Sequence, residues 1–169
     1  MTSEDYMRRA LVLARRALST GDVPVGCVVA DADGAIIGEG WNRREAEGDA
    51  LAHAEVEAIR SACRRRGGWN LHGCTLYVTL EPCPMCAGAI INARIPRVVF
   101  GAPDPKAGSC GSVTDLFALP YNHRPACEGG VLEEECAQLL RDFFRALRLA
   151  PPKPRWKPAV LPAQGGDHA

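Results

Sequence analysis

Two short motifs bring together residue types that can hold a metal and move a proton: His53-Ala54-Glu55 and Pro82-Cys83-Pro84-Met85-Cys86. Zinc favours imidazole and thiolate, and a catalytic zinc keeps three protein ligands with one position open to water. Two cysteines three residues apart on the first turn of a helix point the same way and can share one ion. Their thiolates also lie in the positive field of the helix N-terminus, which lowers a cysteine pKa. His53, from a neighbouring helix, completes a Cys2His set for one Zn2+ per subunit. Glu55 would diverge from His53 in mid-helix, but at a helix start facing an open pocket both reach one cavity. The chemistry is then hydrolytic. A metal lowers the pKa of a water to near ~7, and a carboxylate beside it takes the proton and passes it to a leaving amine.

Each motif alone has a plainer reading. A Cys-x-x-Cys can be a redox pair or half of a structural zinc site, and a His-x-Glu can be a coincidence of a helix surface. A structural site needs a fourth ligand, for which Cys74 and His72 are the nearest candidates, and nothing in the sequence requires them. Taken together, in this order and at two predicted helix starts, the motifs match the signature of zinc-dependent nucleobase deaminases. The backbone amide of Cys83, at a helix start, is then placed to stabilise a developing oxyanion. Cys27, Cys63, Cys74, Cys110, Cys127 and Cys136 read as small core residues. His72 and His168 read as surface residues, and for His123 a structural loop role and a substrate contact stand open.

The elements that must position these residues follow from periodicity. Tyr6, Ala10, Leu13, Ala14 and Ala17 recur at helical steps and predict a helix over about 4–19, ended by Thr20-Gly21-Asp22. Val23 to Ala30 reads as a buried strand and Ala35 to Gly40 as its hairpin partner across Asp33-Gly34. A polar loop over 42–49 leads to a helix over about 53–66, stopped by Gly67-Gly68. Thr75 to Leu80 is strand-like, Cys83 to Ala93 helix-compatible, and Arg97 to Gly101 a further strand. After a loop over 103–112 come a short helix within 113–119 and a weak strand over 127–131, which Pro125 and Gly129-Gly130 keep short. Glu133 to Leu147 carries an apolar stripe of Cys136, Leu139, Leu140, Phe143, Phe144 and Leu147. A hairpin followed by alternating strands and helices implies an α/β protein, its mixed sheet covered by helices on both faces.

Bulk composition narrows the class. The 169 residues are 47% hydrophobic and 24% charged, as in one ordinary globular domain, expected here over 1–150. No apolar run approaches the roughly 20 residues of a membrane span. The acidic N-terminus has no signal-type apolar stretch behind it, so a cytoplasmic protein with no membrane partner is expected. In a reduced compartment the eight cysteines are thiols and metal ligands rather than bridges. Net charge is zero and gives no general support for nucleic-acid binding. Basic residues nevertheless gather at Arg64-Arg65-Arg66 and at Arg141, Arg145, Arg148, Lys153, Arg155 and Lys157. Prolines at 151, 152, 154, 158 and 162 predict a tail over 151–169 without regular structure, able to order on a ligand.

Several stretches outside the metal motifs carry a family resemblance. Asp22-Val-Pro-Val-Gly26, Gly40-Trp-Asn-Arg43, Ala52-His-Ala-Glu55, Leu76-Tyr-Val-Thr-Leu-Glu-Pro-Cys83, Cys86-Ala-Gly-Ala89, Arg97-Val-Val-Phe-Gly101, Asn122-His-Arg124 and Gly129 to Cys136 resemble the bacterial tRNA-specific adenosine deaminases. The likeness runs from about Ser3 to Arg148. It implies a three-layer α/β/α cytidine deaminase-like fold, a homodimer, and conversion of adenosine to inosine at the wobble position of a tRNA anticodon. It also implies that Asn42 contacts the flipped-out base, with Ala54 and Pro82 in the same substrate site. The loop from Asp104 to Gly108 would border the RNA groove, and Phe143, Phe144 and Arg145 would lie near the anticodon stem-loop. Two departures stand out. Pro103 and Pro105 replace a usual arginine and alanine, removing a phosphate contact and stiffening the loop; and Arg124-Pro-Ala-Cys-Glu128 replaces a more β-branched strand. The same metal site would also serve a deaminase of a free base such as guanine or cytosine, or a zinc-stabilised RNA-binding module.

Overall fold

Helical spacing of apolar residues builds α1 (Ser3–Leu18), which buries Met7, Ala10, Leu11, Leu13 and Ala14 against the sheet. Thr2 caps it reciprocally: its hydroxyl oxygen accepts from the Asp5 amide, while the Asp5 carboxylate accepts from the Thr2 amide. A computed structural model describes residues 1–151 of the chain. The expectation of a separate unstructured tail therefore lies, past its first residue, outside the described residues.

Strands β1 (Gly26–Ala30) and β2 (Ile36–Trp41) form the expected antiparallel hairpin. Gly34 supplies the positive φ of its turn. Val23 to Val25, expected to begin the strand, stays outside the ladder. Pro24 has no amide to donate there, and β1 starts two residues later. The loop over 42–49 contains a single unpredicted turn, α2 (Arg44–Glu47), which carries no apolar periodicity and buries no residue. It is capped from a distance. The wholly buried Asp22 accepts from the amides of Glu45 at 2.6 Å and Ala46 at 3.2 Å.

The remaining elements are α3 (Ala54–Arg66), β3 (Thr75–Leu80), α4 (Pro84–Asn92), β4 (Arg97–Ala102), β5 (Ala126–Glu128) and α5 (Glu133–Leu149). The expected helix over 113–119 shrinks to a 3-10 turn, Leu116–Ala118, capped by the Asp115 carboxylate. The last strand stops at Glu128 because Gly129 and Gly130 follow. A side chain at Gly129 would meet the Phe100 ring at 2.4 Å.

Strand order is β2-β1-β3-β4-β5. β1 runs antiparallel to β2 and β3, whereas β3, β4 and β5 run parallel, so the sheet is mixed. Helices α1 and α5 cover one face with Met7, Leu11, Val28, Tyr77 and Val99. Helices α3 and α4 cover the other with Val29, Ala58, Leu76, Ile90 and Val98. The architecture is the expected three-layer α/β/α sandwich. Helix α3 comes unusually close to β2. A Cβ at Gly38 or Gly40 would stand 2.3 Å from a backbone oxygen of the helix, Ala58 O and Ala54 O respectively. Those two glycines fix where α3 begins.

Candidate active site

His53 is the N-cap of α3 and Cys83 the N-cap of α4, and neither side chain caps its own helix. Both are therefore free to turn towards one point. His53 Nδ1 lies 3.7 Å from Cys83 Sγ and 3.6 Å from Cys86 Sγ. The three donor atoms all lie within 4.8 Å of one another. A tetrahedral ion with Zn–S of about 2.3 Å and Zn–N of about 2.0 Å spaces sulfur and nitrogen about 3.5 Å apart. The observed spacings match that requirement, and a Cys2His donor set is soft enough for zinc and leaves a fourth position open. Among the described residues this is the one group of three or more such side chains whose ligand atoms converge on a single ion. His53, Cys83 and Cys86 are thus the candidate ligand set for one metal ion.

The electrostatics suit that role. Hydrogen bonding from Cys86, joined by His53, outweighs burial and brings the Cys83 thiol down to about 4. Cys83 and burial together push Cys86 upward, so the anion of the pair resides on Cys83. His53 is raised, first by its bond to Cys83. Glu55, 4% exposed, is pushed from 4.5 up to about 7 by burial, against the pull of its own backbone amide and of His53. Cys83, His53 and Cys86 all act on its carboxyl, which sets it beside the three candidate ligands. A carboxyl poised near neutrality next to a metal site can both take and return a proton at physiological pH.

The other expected site residues are distributed around this centre. Ala54 and Pro82 are buried beside their motif neighbours. Asn42, just past β2, donates from its side-chain amide to the Val23 carbonyl at 3.1 Å and accepts from the Arg44 amide. Asp104 turns its carboxylate on its own loop, accepting from the amides of Lys106 and Ala107. Phe143, Phe144 and Arg145 sit on α5, across the sheet from α3 and α4. The two rings meet edge to face at 5.2 Å, and Arg145 lies 3.9 Å from Asp142.

His123 bonds the Ile95 carbonyl through Nε2 at 2.8 Å, which gives it a structural role in its loop. Of the six cysteines read as core residues, Cys27, Cys74 and Cys136 are buried and Cys63 and Cys110 half-buried. Cys127 is exposed, because β5 is a three-residue edge strand with all its side chains outside the core. Cys74 and His72, the candidates for a fourth ligand, stand at the far end of α3 instead. Cys74 accepts there from Arg66, and His72 joins Asp31, Asp33, Arg65 and Arg66 around a surface depression of about 370 Å³. Two buried acids went unread in the sequence: Asp22, which caps α2, and Glu81, whose carboxylate gathers the loop after β4. Their only signal is an acidic residue adjoining an apolar strand.

Comparisons with known proteins agree with this geometry. The model of the cytidine and deoxycytidylate deaminase zinc-binding region matches residues 1–102. The tRNA-specific adenosine deaminase of Bacillus subtilis is 48% identical over 150 residues, covering 88% of this chain and 92% of that protein. A tRNA(Ile)-lysidine synthase of Deinococcus deserti is 50% identical over 142 residues, 84% of this chain but only 27% of that longer protein. A solved structure from a study of A-to-I editing by tRNA:A34 deaminases at the wobble position of transfer RNA superposes with a TM-score of 0.77. It is 44% identical, covering 80% of this chain and 99% of the other. With its Cys2His site at two helix starts and these likenesses along most of its length, the chain belongs to the tRNA-specific adenosine deaminases, zinc-dependent enzymes of the cytidine deaminase fold.

Proposed function

We propose that this protein hydrolytically deaminates adenosine to inosine at the wobble position of a tRNA anticodon. The observation that carries the reading is the buried Glu55, brought to about 7 beside the converging His53, Cys83 and Cys86, in a chain 48% identical to a tRNA-specific adenosine deaminase. When bound, the ion supplies Lewis acidity that lowers the pKa of a water and makes a nucleophile available near neutral pH. Glu55 takes a proton at its carboxylate, delivers it to the adenine ring nitrogen and then helps ammonia to leave. The amide of Cys83, at the start of α4, faces the developing negative charge; Pro84 after it has no N–H to share that work. The base must leave its stack to reach this point. Asn42, Ala54 and Pro82 surround it in this reading, Asp104 borders the strand, and Phe143, Phe144 and Arg145 contact the anticodon loop. Residues 1–150 form the deaminase domain in this reading.

The homodimer rests on family likeness, and the cytoplasmic setting is consistent with a tRNA substrate. No helix among the described residues is long and apolar enough to cross a membrane. Light scattering tests the dimer, with a mass twice that of the chain expected. The activity is tested by incubating zinc-loaded protein with an anticodon stem-loop bearing a wobble adenosine, and separately with free guanine and cytosine. Inosine in the RNA and no ammonia from either base is the expected result. Ammonia from a free base would instead make this a base deaminase, and no product from any substrate would leave a zinc-stabilised binding module.

A further inference from the structure

Glu81 is a buried acid outside the candidate ligand set. It sits between the end of β3 and the Pro82-Cys83 start of α4, and it is 2% exposed. Its carboxylate has no part in the proton chemistry. It is instead fully occupied by the loop that follows β4. Oε2 accepts from the Asp104 amide at 3.0 Å and from the Ser112 hydroxyl; Oε1 accepts from the amides of Cys110 at 3.0 Å and Ser112 at 3.1 Å. The loop forms no helix or strand over this span, and one carboxylate gathers three of its amides, those of Asp104, Cys110 and Ser112.

The packing is tight on the other side as well. A Cβ at Gly108 would stand 2.4 Å from Glu81 Cδ and Oε2, so only glycine lets the loop close over the carboxylate. The loop then makes a second connection, from the Ser109 amide to the Pro82 carbonyl at 2.9 Å. That carbonyl belongs to the peptide whose amide is Cys83's. Glu81 therefore ties two things together: the backbone that presents the metal ligand, and a loop that ends the parallel strands on the same side as that ligand. β3 and β4 leave the sheet side by side there, at Leu80 and Ala102.

We propose that Glu81 is a positioning residue for the polynucleotide substrate, holding the 104–112 loop as a fixed wall beside Pro82 and Cys83. The proposal rests on the reading of RNA as the substrate. No residue of the loop belongs to the His53, Cys83 and Cys86 set, so releasing it is expected to leave the metal in place and to loosen the fit of the strand. Substrate affinity then suffers more than turnover.

The test compares Glu81→Gln and Gly108→Ala with the unaltered protein on the wobble-adenosine stem-loop. Glutamine keeps the volume but sets an NH2 against loop amides that need an acceptor. Alanine at 108 keeps the carboxylate but props the loop away from it, so the two variants disturb the same closure from opposite sides. Both are expected to keep one zinc per chain and kcat within about threefold, while KM rises about tenfold. Hydrogen exchange at the amides of Asp104, Cys110 and Ser112 should quicken in both. Serine 112 to alanine (Ser112→Ala), which removes one bond and folds most readily, should shift KM in the same direction by less. Unchanged KM in all three variants, or a fall in kcat or zinc content with KM unchanged, would overturn the positioning role. Failure of the unaltered protein to form inosine in the stem-loop would instead overturn the RNA reading, so the two failures are told apart by the control.

Discussion

Helices α3 and α4 bury themselves along their length, whereas α5 hardly does. The 13-residue α3 sinks Ala54, Glu55, Ala58 and Ala62, and the 9-residue α4 sinks Cys86, Ala87, Ile90 and Ile91. The 17-residue α5 fully buries Cys136 alone. Past Arg141 it presents Phe144 at 42% and Leu147 at 45% exposure, interleaved with Arg145 and Arg148. The first pair are well-packed supports whose starts carry the candidate ligands. The last offers an apolar and basic face larger than the fold needs, of the kind that contacts partners. The proposed catalytic and RNA-contacting residues thus fall on elements of different packing, and substitutions should separate their effects.

The largest effect is expected at the metal. Cys86→Ser replaces a buried soft ligand with a poor one, so the protein should lose its zinc and all measurable inosine formation. Metal analysis of the purified variant beside an inosine assay checks this, and full zinc occupancy with retained turnover would contradict it. Next comes the seat of α3. Gly40→Ala drives a Cβ into backbone atoms of the helix, which should cost about 2–3 kcal/mol by urea denaturation. A midpoint unchanged from the unaltered protein would show that α3 is not held where the glycines place it.

The contrast between the regions also explains what the sequence made legible. The metal set could be read because its residue types are scarce and its spacings local: His53 with Glu55, Cys83 with Cys86. Gly67 and the β-branched run Thr75 to Leu80 likewise act through neighbours, and α3, β3 and the hairpin were found nearly in full. What stayed hidden depends on partners far along the chain. Asp22 caps α2 from 23 residues away, and Glu81 collects donors 23, 29 and 31 residues downstream. No local pattern announces such a contact. The stripe on α5 was visible, but its period reports an apolar face and not whether a sheet extends far enough to cover it. The strand expected from Val23 failed for a local reason that was legible, the missing amide of Pro24.

Smaller effects sharpen the same division. Phe144→Ala removes an exposed ring, so unfolding should change by less than about 1 kcal/mol. If α5 stacks on anticodon bases, KM for the stem-loop should rise about tenfold in the same variant. Unchanged KM would detach α5 from recognition. The smallest expected effect is on acid stability. Burial works to raise the Glu81 carboxyl, but the Ser112 hydroxyl and the amides of Asp104, Ser112 and Cys110 hold it below the ordinary 4.5. A folded value below the unfolded one contributes stability that is fully present above the unfolded value and is lost as pH falls through the folded value. The advantage of the unaltered protein over Glu81→Gln, measured by urea unfolding, should therefore be constant near neutrality and shrink below about pH 4.5. An advantage that persists undiminished at lower pH would contradict the charged, caged carboxylate.

The separation of ligand from proton carrier is tested most directly by Glu55→Ala. Zinc content and stem-loop affinity should match the unaltered protein if His53, Cys83 and Cys86 hold the ion and the outer residues hold the RNA, as proposed. Turnover should fall by about 10²–10⁴ or more. Inosine formed at the original rate with zinc in place would show that Glu55 does not carry the proton, and the account of the site would have to be rebuilt around another group.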